Sequence, residues 1–276
     1  MKYGLYVILI LLYSCSTSTT KHSSQGFVKI KAGEYALGDS SSYVNPYHLC
    51  KTNGFAISET EITNKQFAEF VKVTNYKTIA EKLHNAMTFK VGLDEFEWYN
   101  DTSVCWRYPF GRSNGGIENK MNYAVTSICF TDALAYCKWA KVRLPTADEW
   151  EIACRAGTRG KYFFGNDSTQ ISKYANIWIN RRHDAAPIND TFLFTAAVKS
   201  FKPNAWGIYD MYGNCFEFCE GKFINRKTPK NVVISRGGSW WCSKNSCNFF
   251  NSVDLGRLDK NASFSNNGFR VVKENN

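Results

Sequence analysis

Cys242 and Cys247 stand five positions apart, directly after Arg236-Gly237-Gly238-Ser239-Trp240-Trp241. Two thiols at this spacing can close a disulfide, bind a soft metal as thiolates, or pack as small apolar groups. Thiolate pairs select Cu(I) and zinc, but two ligands do not complete zinc's tetrahedron. Spacing alone favours the disulfide and leaves the other two open. The elements that must position the pair are short. Val232 to Ser235 is β-branched enough to form a strand. Gly237-Gly238 then lets the backbone turn tightly or approach a ligand closely.

The rest of the chain supplies a frame for this turn. Phe27 to Leu37 alternates as F-V-K-I-K and then Y-A-L, which predicts a hairpin with Gly33 near its turn. Phe55 to Ser58 predicts another strand. Thr63 is a helix N-cap, and Phe67, Phe70 and Val71 form a helical apolar stripe. Ile79 to Met121 is the least regular region, yet its Trp98, Trp106 and Tyr108 argue for order. Thr131 to Ala140 predicts a helix. Thr146 caps the next one, Glu149 completes its capping box, and Gly157 supplies the stop.

These pieces together resemble the formylglycine-generating enzymes, the sulfatase-modifying factors. The similar motifs are E-T-E-I-T-N-K-Q-F near Thr63, R-L-P-T-A-D-E-W-E around Thr146, and G-N-C-F-E-F from Gly213. The C-terminal R-G-G-S-W-W-C-x4-C segment followed by N-N-G-F-R-V completes the set. R-L-P-T-x-x-E-W-E marks the fold and says nothing of activity, whereas the cysteine pair belongs to the oxidase branch. The resemblance runs from about Gly26 to Val272. It implies one α+β domain of low regular content with C-type-lectin-like topology.

The activity it implies is the oxidation, by dioxygen, of a cysteine in a C-x-P-x-R peptide of a sulfatase, or another unfolded protein substrate, to formylglycine. Cys242 and Cys247 would hold Cu(I), and Ser239 would hydrogen-bond an intermediate beside them. Trp240, Trp241 and Arg257 would face the substrate. Structural calcium is implied at Asn176, Ile177, Asp190 and Phe192, and again at Asp210, Gly213, Cys215 and Glu217. Ile177, Phe192, Gly213 and Cys215 would contribute only backbone carbonyls. Departures from the family are specific. Ser252 and Val271 replace cysteines, which leaves Cys137 and Cys154 without the disulfide partners the family would give them. Ser243, Asn251 and Leu255 stand where the family carries a histidine and arginines.

Composition bounds the alternatives. The chain has 276 residues, 16% of them aromatic, enough for a sizeable core. Tyr6 to Tyr13 is an apolar run too short to span a bilayer and predicts a signal peptide. L-Y-S-C resembles a bacterial lipobox. The expected organisation is a leader over 1–15 ending at a lipidated Cys15, a flexible tether over 16–25, and one domain over 26–276. That places the protein in the cell envelope, anchored to a membrane and expected as a monomer. The net charge of +10 is spread without a dense Lys/Arg run, so nucleic acid is not an expected partner. His22, His48, His84 and His183 lack the spacing of a histidine-rich iron site. The competing expectation is a non-catalytic lipoprotein of the same fold, a structural or interaction module of an envelope assembly such as gliding or secretion machinery.

Overall fold

The computed structural model describes residues 26–180, 182–185, 192–225 and 227–274. The expected leader, Cys15 and the tether lie outside them, as does Asp190. In chain order come β1 (Phe27–Ile30), β2 (Gly33–Leu37), β3 (His48–Thr52) and β4 (Phe55–Ser58). Helices α1 (Asn64–Thr74) and α2 (Ile79–Leu83) follow, then the two-residue strands β5 (Met87–Thr88) and β6 (Tyr99–Asn100). Helices α3 (Phe130–Ala140) and α4 (Ala147–Arg155) precede β7 (Ala175–Asn176) and β8 (Tyr212–Gly213). The C-terminal part holds β9 (Phe216–Cys219), β10 (Val232–Arg236), β11 (Gly256–Asp259), β12 (Asn267–Gly268) and β13 (Val272–Glu274). This is a single α+β domain with little regular structure. No helix among the described residues is long and apolar enough to cross a membrane.

Local chemistry sets the helix starts. Glu149 N donates to Thr146 Oγ1, and Thr146 N donates to the Glu149 carboxylate, the reciprocal pair of a capping box. Thr63 and Gln66 repeat the arrangement at α1. Thr78 and Glu81 do so at α2, a helix inside the stretch expected to be irregular. The α4 stop falls one residue earlier than expected: Ala156 is the first left-handed residue and Gly157 follows it.

The expected hairpin over Phe27–Leu37 does not form. β1 pairs with β4 and β2 pairs with β3, both antiparallel, and Gly33 begins a strand. The physical reason is burial. All four residues of β4 are buried, so it takes the centre of a three-stranded sheet, β1-β4-β13, and draws β1 to its edge. β13 closes the other edge, joining the two ends of the described chain. The second sheet runs β11-β10-β9-β12, with β12 parallel to β9.

Buried ion pairs fasten α4 to this second sheet. Arg236, at the end of β10, pairs with Glu151 on α4, which also binds Arg155 at 2.7 Å. Burial pushes the Glu151 carboxyl up, but Arg236 and Arg155 outweigh it and hold the group below its usual range. One helical position away, Trp150 Nε1 donates to Glu217 on β9 at 2.7 Å. Arg270 grips the same carboxylate through Nε at 2.6 Å and Nη2 at 2.8 Å. Removing one partner of a buried pair strands the other charge in a medium that solvates it poorly. Glu151→Gln should therefore lower stability by about 3–5 kcal/mol, read as a fall in the urea midpoint. Lys51→Ala removes an exposed pair with Glu34 and should change stability by less than about 1 kcal/mol.

Candidate active site around Cys242 and Cys247

The strand β10 delivers the site. After Arg236, Gly237 and Gly238 both take left-handed backbone conformations. A side chain at Gly238 would meet Phe250 N at 2.9 Å and Cys242 Sγ at 3.3 Å, so only glycine lets the turn fold over the cysteine loop. Cys242 and Cys247 are brought together and their sulfurs are bonded, which is the oxidised state of the pair. Cys242 is fully buried, whereas Cys247 lines a cleft of about 530 Å³. Trp241 and Arg257 line the same cleft. Trp240 does not. It packs into the aromatic core on Phe110 and Phe194 and donates Nε1 to Ser265 O.

Ser239 sits against the buried sulfur. Its amide donates to Cys242 Sγ at 3.4 Å, and its hydroxyl lies 3.8 Å from the same atom. That hydroxyl already accepts from Asn266 Nδ2 and Trp241 N, which leaves its own proton for the sulfur. The residues that stand in for the family's cations have other work. Ser243 accepts from the amides of Asn245 and Ser246. Asn251 braces its own loop through Asn248 O and Val253 N. Leu255 faces the cleft as apolar lining.

A histidine missed from sequence completes the surroundings. His183 Nε2 donates to Trp241 O at 2.6 Å, and Nδ1 lies 2.9 Å from the Glu95 carboxylate. Its ring stacks on Trp241 at 4.2 Å between centroids. The imidazole therefore pins the residue just before Cys242. No spacing signal links His183 to Glu95 or to Trp241, because those contacts span 88 and 58 residues.

The other seven described cysteines are free thiols. Cys154 Sγ lies 3.5 Å from Ser252 Oγ, one of the two positions where the resemblance implied a cysteine. Burial pushes the Cys154 thiol up to about 11 and those of Cys129 and Cys137 up to about 12. Such thiols stay protonated and compete poorly for a metal. The donor set that fits a soft, low-coordinate ion is the Cys242–Cys247 pair once reduced. Among the described residues no group of three or more His, Cys, Asp or Glu is placed to hold a metal ion.

The calcium-type clusters fit less well. Asn176 Nδ2 donates to Phe194 O, and the Asn176 carbonyl accepts from Asn214 N. Ile177 is buried next to it, and Phe192 packs near Tyr123. In the second cluster Gly213 and Cys215 lie on buried backbone, but both Glu217 oxygens are committed to Arg270 and Trp150. The carboxylate left over is one that the sequence did not flag. Glu61 is fully buried, its Oε1 accepts from Asn214 Nδ2, and its Oε2 has no hydrogen-bond partner among the described residues. Burial, then Asp210 and Glu217, push the Glu61 carboxyl well above its usual range. Asp210 is pushed up to about 6, mainly by burial.

The comparisons agree with these motifs. The chain matches the model of the sulfatase-modifying factor enzyme 1-like domain, FGE-sulfatase, over residues 14–275. It is 30% identical over 284 residues to the formylglycine-generating enzyme of Streptomyces coelicolor, covering 91% of this chain and 90% of that protein. The Mus musculus enzyme of the same name is 30% identical over 278 residues, 90% of this chain and 74% of that one. The inactive C-alpha-formylglycine-generating enzyme 2 of Bos taurus is 29% identical over 231 residues, 77% of this chain and 75% of that one. Among solved structures, PvdO from Pseudomonas aeruginosa superposes with a TM-score of 0.67 at 22% identity, over 90% of this chain and 94% of that one, a likeness of fold.

The buried carboxylates give a pH test. Glu61 and Asp210 bind protons more readily folded than unfolded, so their buried charge destabilises the fold at high pH and is relieved as pH falls through the folded values. With a chelator present, the melting temperature should rise as pH is lowered from above 6, the Asp210 value, toward about 4, the unfolded carboxyl range. Glu61→Gln should flatten that slope and melt higher than wild type at neutral pH. A slope identical in the variant would remove Glu61 from the account.

Proposed function

The chain belongs to the sulfatase-modifying factor enzyme 1-like (FGE-sulfatase) family, and on that premise we propose that it oxidises a cysteine of a protein substrate to formylglycine. The observation that carries the proposal is the Cys242–Cys247 pair, bonded and opening through Cys247 onto the cleft. An external thiol reduces the pair with two electrons and two protons. The two thiols so formed would hold Cu(I) as thiolates. Bound copper would supply the one-electron chemistry that lets dioxygen react with a thiol. The overall balance takes in one dioxygen, two electrons and two protons for each substrate CH2–SH, and releases an aldehyde, hydrogen sulfide and water.

This chain's own residues arrange the rest. The substrate thiol enters on the Cys247 side, because Cys242 is fully buried with Ser239 against its sulfur. The Ser239 hydroxyl presents its proton to Cys242 Sγ and stabilises negative charge on that sulfur. His183 and Trp241 fix the loop from one side and shield it from water. Calcium is the dication that would offset the buried Glu61 and Asp210 charges. It would draw on Asp210 and nearby carbonyls more than on Glu217. In the melting experiment above, calcium in place of chelator should raise the melting temperature at neutral pH.

The second reading, a non-catalytic module, is supported by the relative whose name calls it inactive and by the replaced cations at Ser243, Asn251 and Leu255. Copper separates the two. Reduced protein should take up one Cu(I) per chain, and Cys242→Ser or Cys247→Ser should abolish uptake. With copper, oxygen and a thiol reductant, a C-x-P-x-R peptide should gain an aldehyde, detected by mass spectrometry. Absence of uptake, with a pair that resists mild reductant, would promote the module. We further propose envelope attachment through Cys15. Cys15→Ser should move the protein out of the membrane fraction, and an unchanged membrane fraction with unchanged mass would reject the anchor.

A further inference from the structure

Cys242 is held through both peptide units that flank it, and one short segment does the holding. Trp178 N donates to Cys242 O at 2.9 Å. Further along the same segment, His183 Nε2 donates to Trp241 O at 2.6 Å. Trp178 Nε1 donates to Arg182 O at 2.8 Å, which ties the two ends of the segment together. Trp178 and His183 are both buried, so water does not compete for these bonds. Three rings enclose the imidazole: Trp241 stacked at 4.2 Å, Trp178 at 4.7 Å, and Phe89 edge-on at 5.6 Å.

A turn from elsewhere in the chain fastens the histidine on its other side. Glu97 N donates to Asp94 O at 3.0 Å and closes the turn that carries Glu95. The Glu95 carboxylate accepts from His183 N at 3.1 Å and faces Nδ1 at 2.9 and 3.0 Å. Gly92 N donates to His183 O at 3.2 Å. Next to Glu95, Phe96 takes a left-handed backbone conformation, and its ring packs on Trp241 at 5.1 Å. A bulky residue keeps such a backbone only where its surroundings over-determine it. The main chain and ring of His183 are thus gripped by Glu95, and Trp241 is gripped by both His183 and Phe96.

We propose that His183, braced by Glu95, is a positioning residue for the cysteine pair: it holds the Trp241–Cys242 peptide so that the two sulfurs stay close once the pair is reduced. The inference deepens the oxidase proposal and rests on it only for the role of copper. Reduction breaks the S–S bond. Two external thiols supply two electrons and two protons and leave as one disulfide. From then on the protein alone holds the sulfurs together. Fixed groups react as though at high effective concentration. A held Cys242 therefore favours re-formation of the bond. It also offers Cu(I) two sulfurs in one place, with little left to order on binding. Loosening the Trp241–Cys242 peptide weakens both. Linkage is reciprocal, so the bond must in turn steady the clamp formed by Glu95, His183 and Trp178.

The test equilibrates the full chain with reduced and oxidised glutathione, alkylates the thiols, and reads Cys242 and Cys247 by peptide mass. His183→Leu should shift the exchange equilibrium roughly tenfold toward the reduced pair, the effect of a lower effective concentration. Glu95→Leu should shift it in the same direction. His183→Gln keeps an N–H donor for Trp241 O and should return toward wild type, a rescue that loss of packing alone does not predict. In the wild type, reduction should speed hydrogen exchange at the amides of Gly92 and Trp178, which keeps the test decisive if the variants do not fold. An unchanged equilibrium in folded His183→Leu, or unchanged exchange on reduction, would overturn the proposal. A shift toward the disulfide would also overturn it, because the imidazole would then act through its charge on the sulfurs and not through position. Cu(I) affinity, measured by competition with a chelator, should fall in His183→Leu. A shifted glutathione equilibrium in a protein that takes up no copper would reject the oxidase chemistry and leave His183 as the positioning residue of the pair.

Discussion

Arg236 and Arg270 lie almost wholly inside the protein, and each is neutralised by a carboxylate from a distant stretch of chain. Glu151 and Trp150 come from one turn of α4, so a single short helix holds both ends of this arrangement. Arg236 also donates to the carbonyls of Val253 and Asp254, beyond the cysteine loop. The loop is thus anchored before Gly237 and after Asn251 by the same guanidinium. A buried arginine held at both ends of a loop cannot drift, because each lost bond strands a charge. The position of Cys247 at the cleft follows from that constraint.

The same constraint explains why the chain needs so little regular structure. Two-residue strands and short helices could not fix a site by ladder bonds alone. Aromatic packing and buried polar networks fix it instead. Phe67, Phe70 and Tyr136 pack on the α1–α3 side, and Trp240 packs with Phe89, Phe110 and Phe194 behind the cysteines. Asn214 shows how dense the polar networks are. Its amide donates to Glu61, and its side-chain oxygen accepts from Ala196 N. Chemistry at the site and stability of the fold therefore draw on adjacent residues.

Much of this was legible in the sequence where the cause is local. Thr63, Thr146 and Glu149 read as caps because a capping box is made within four residues, and the Thr78–Glu81 box was equally readable though unflagged. The cysteine pair and Ser239 were legible because one strand and one turn carry them. Pairing partners were not. Alternation in Phe27–Ile30 gives a strand, but burial of β4, far along the chain, decides what it pairs with. His183 and Glu61 were invisible for a similar reason, since their roles exist only across contacts of long sequence separation. Glu217 looked like an ion ligand by its motif, and only Arg270 and Trp150 reveal how its oxygens are used.

The central claim is that the Cys242–Cys247 pair, once reduced, is the copper site that takes the substrate sulfur. Copper-edge X-ray absorption on the Cu(I)-loaded full chain tests it directly. The account predicts a first shell of two sulfurs without nitrogen, and a third sulfur when a cysteine peptide is added. A nitrogen or oxygen shell, or a spectrum left unchanged by Cys247→Ser, would contradict it.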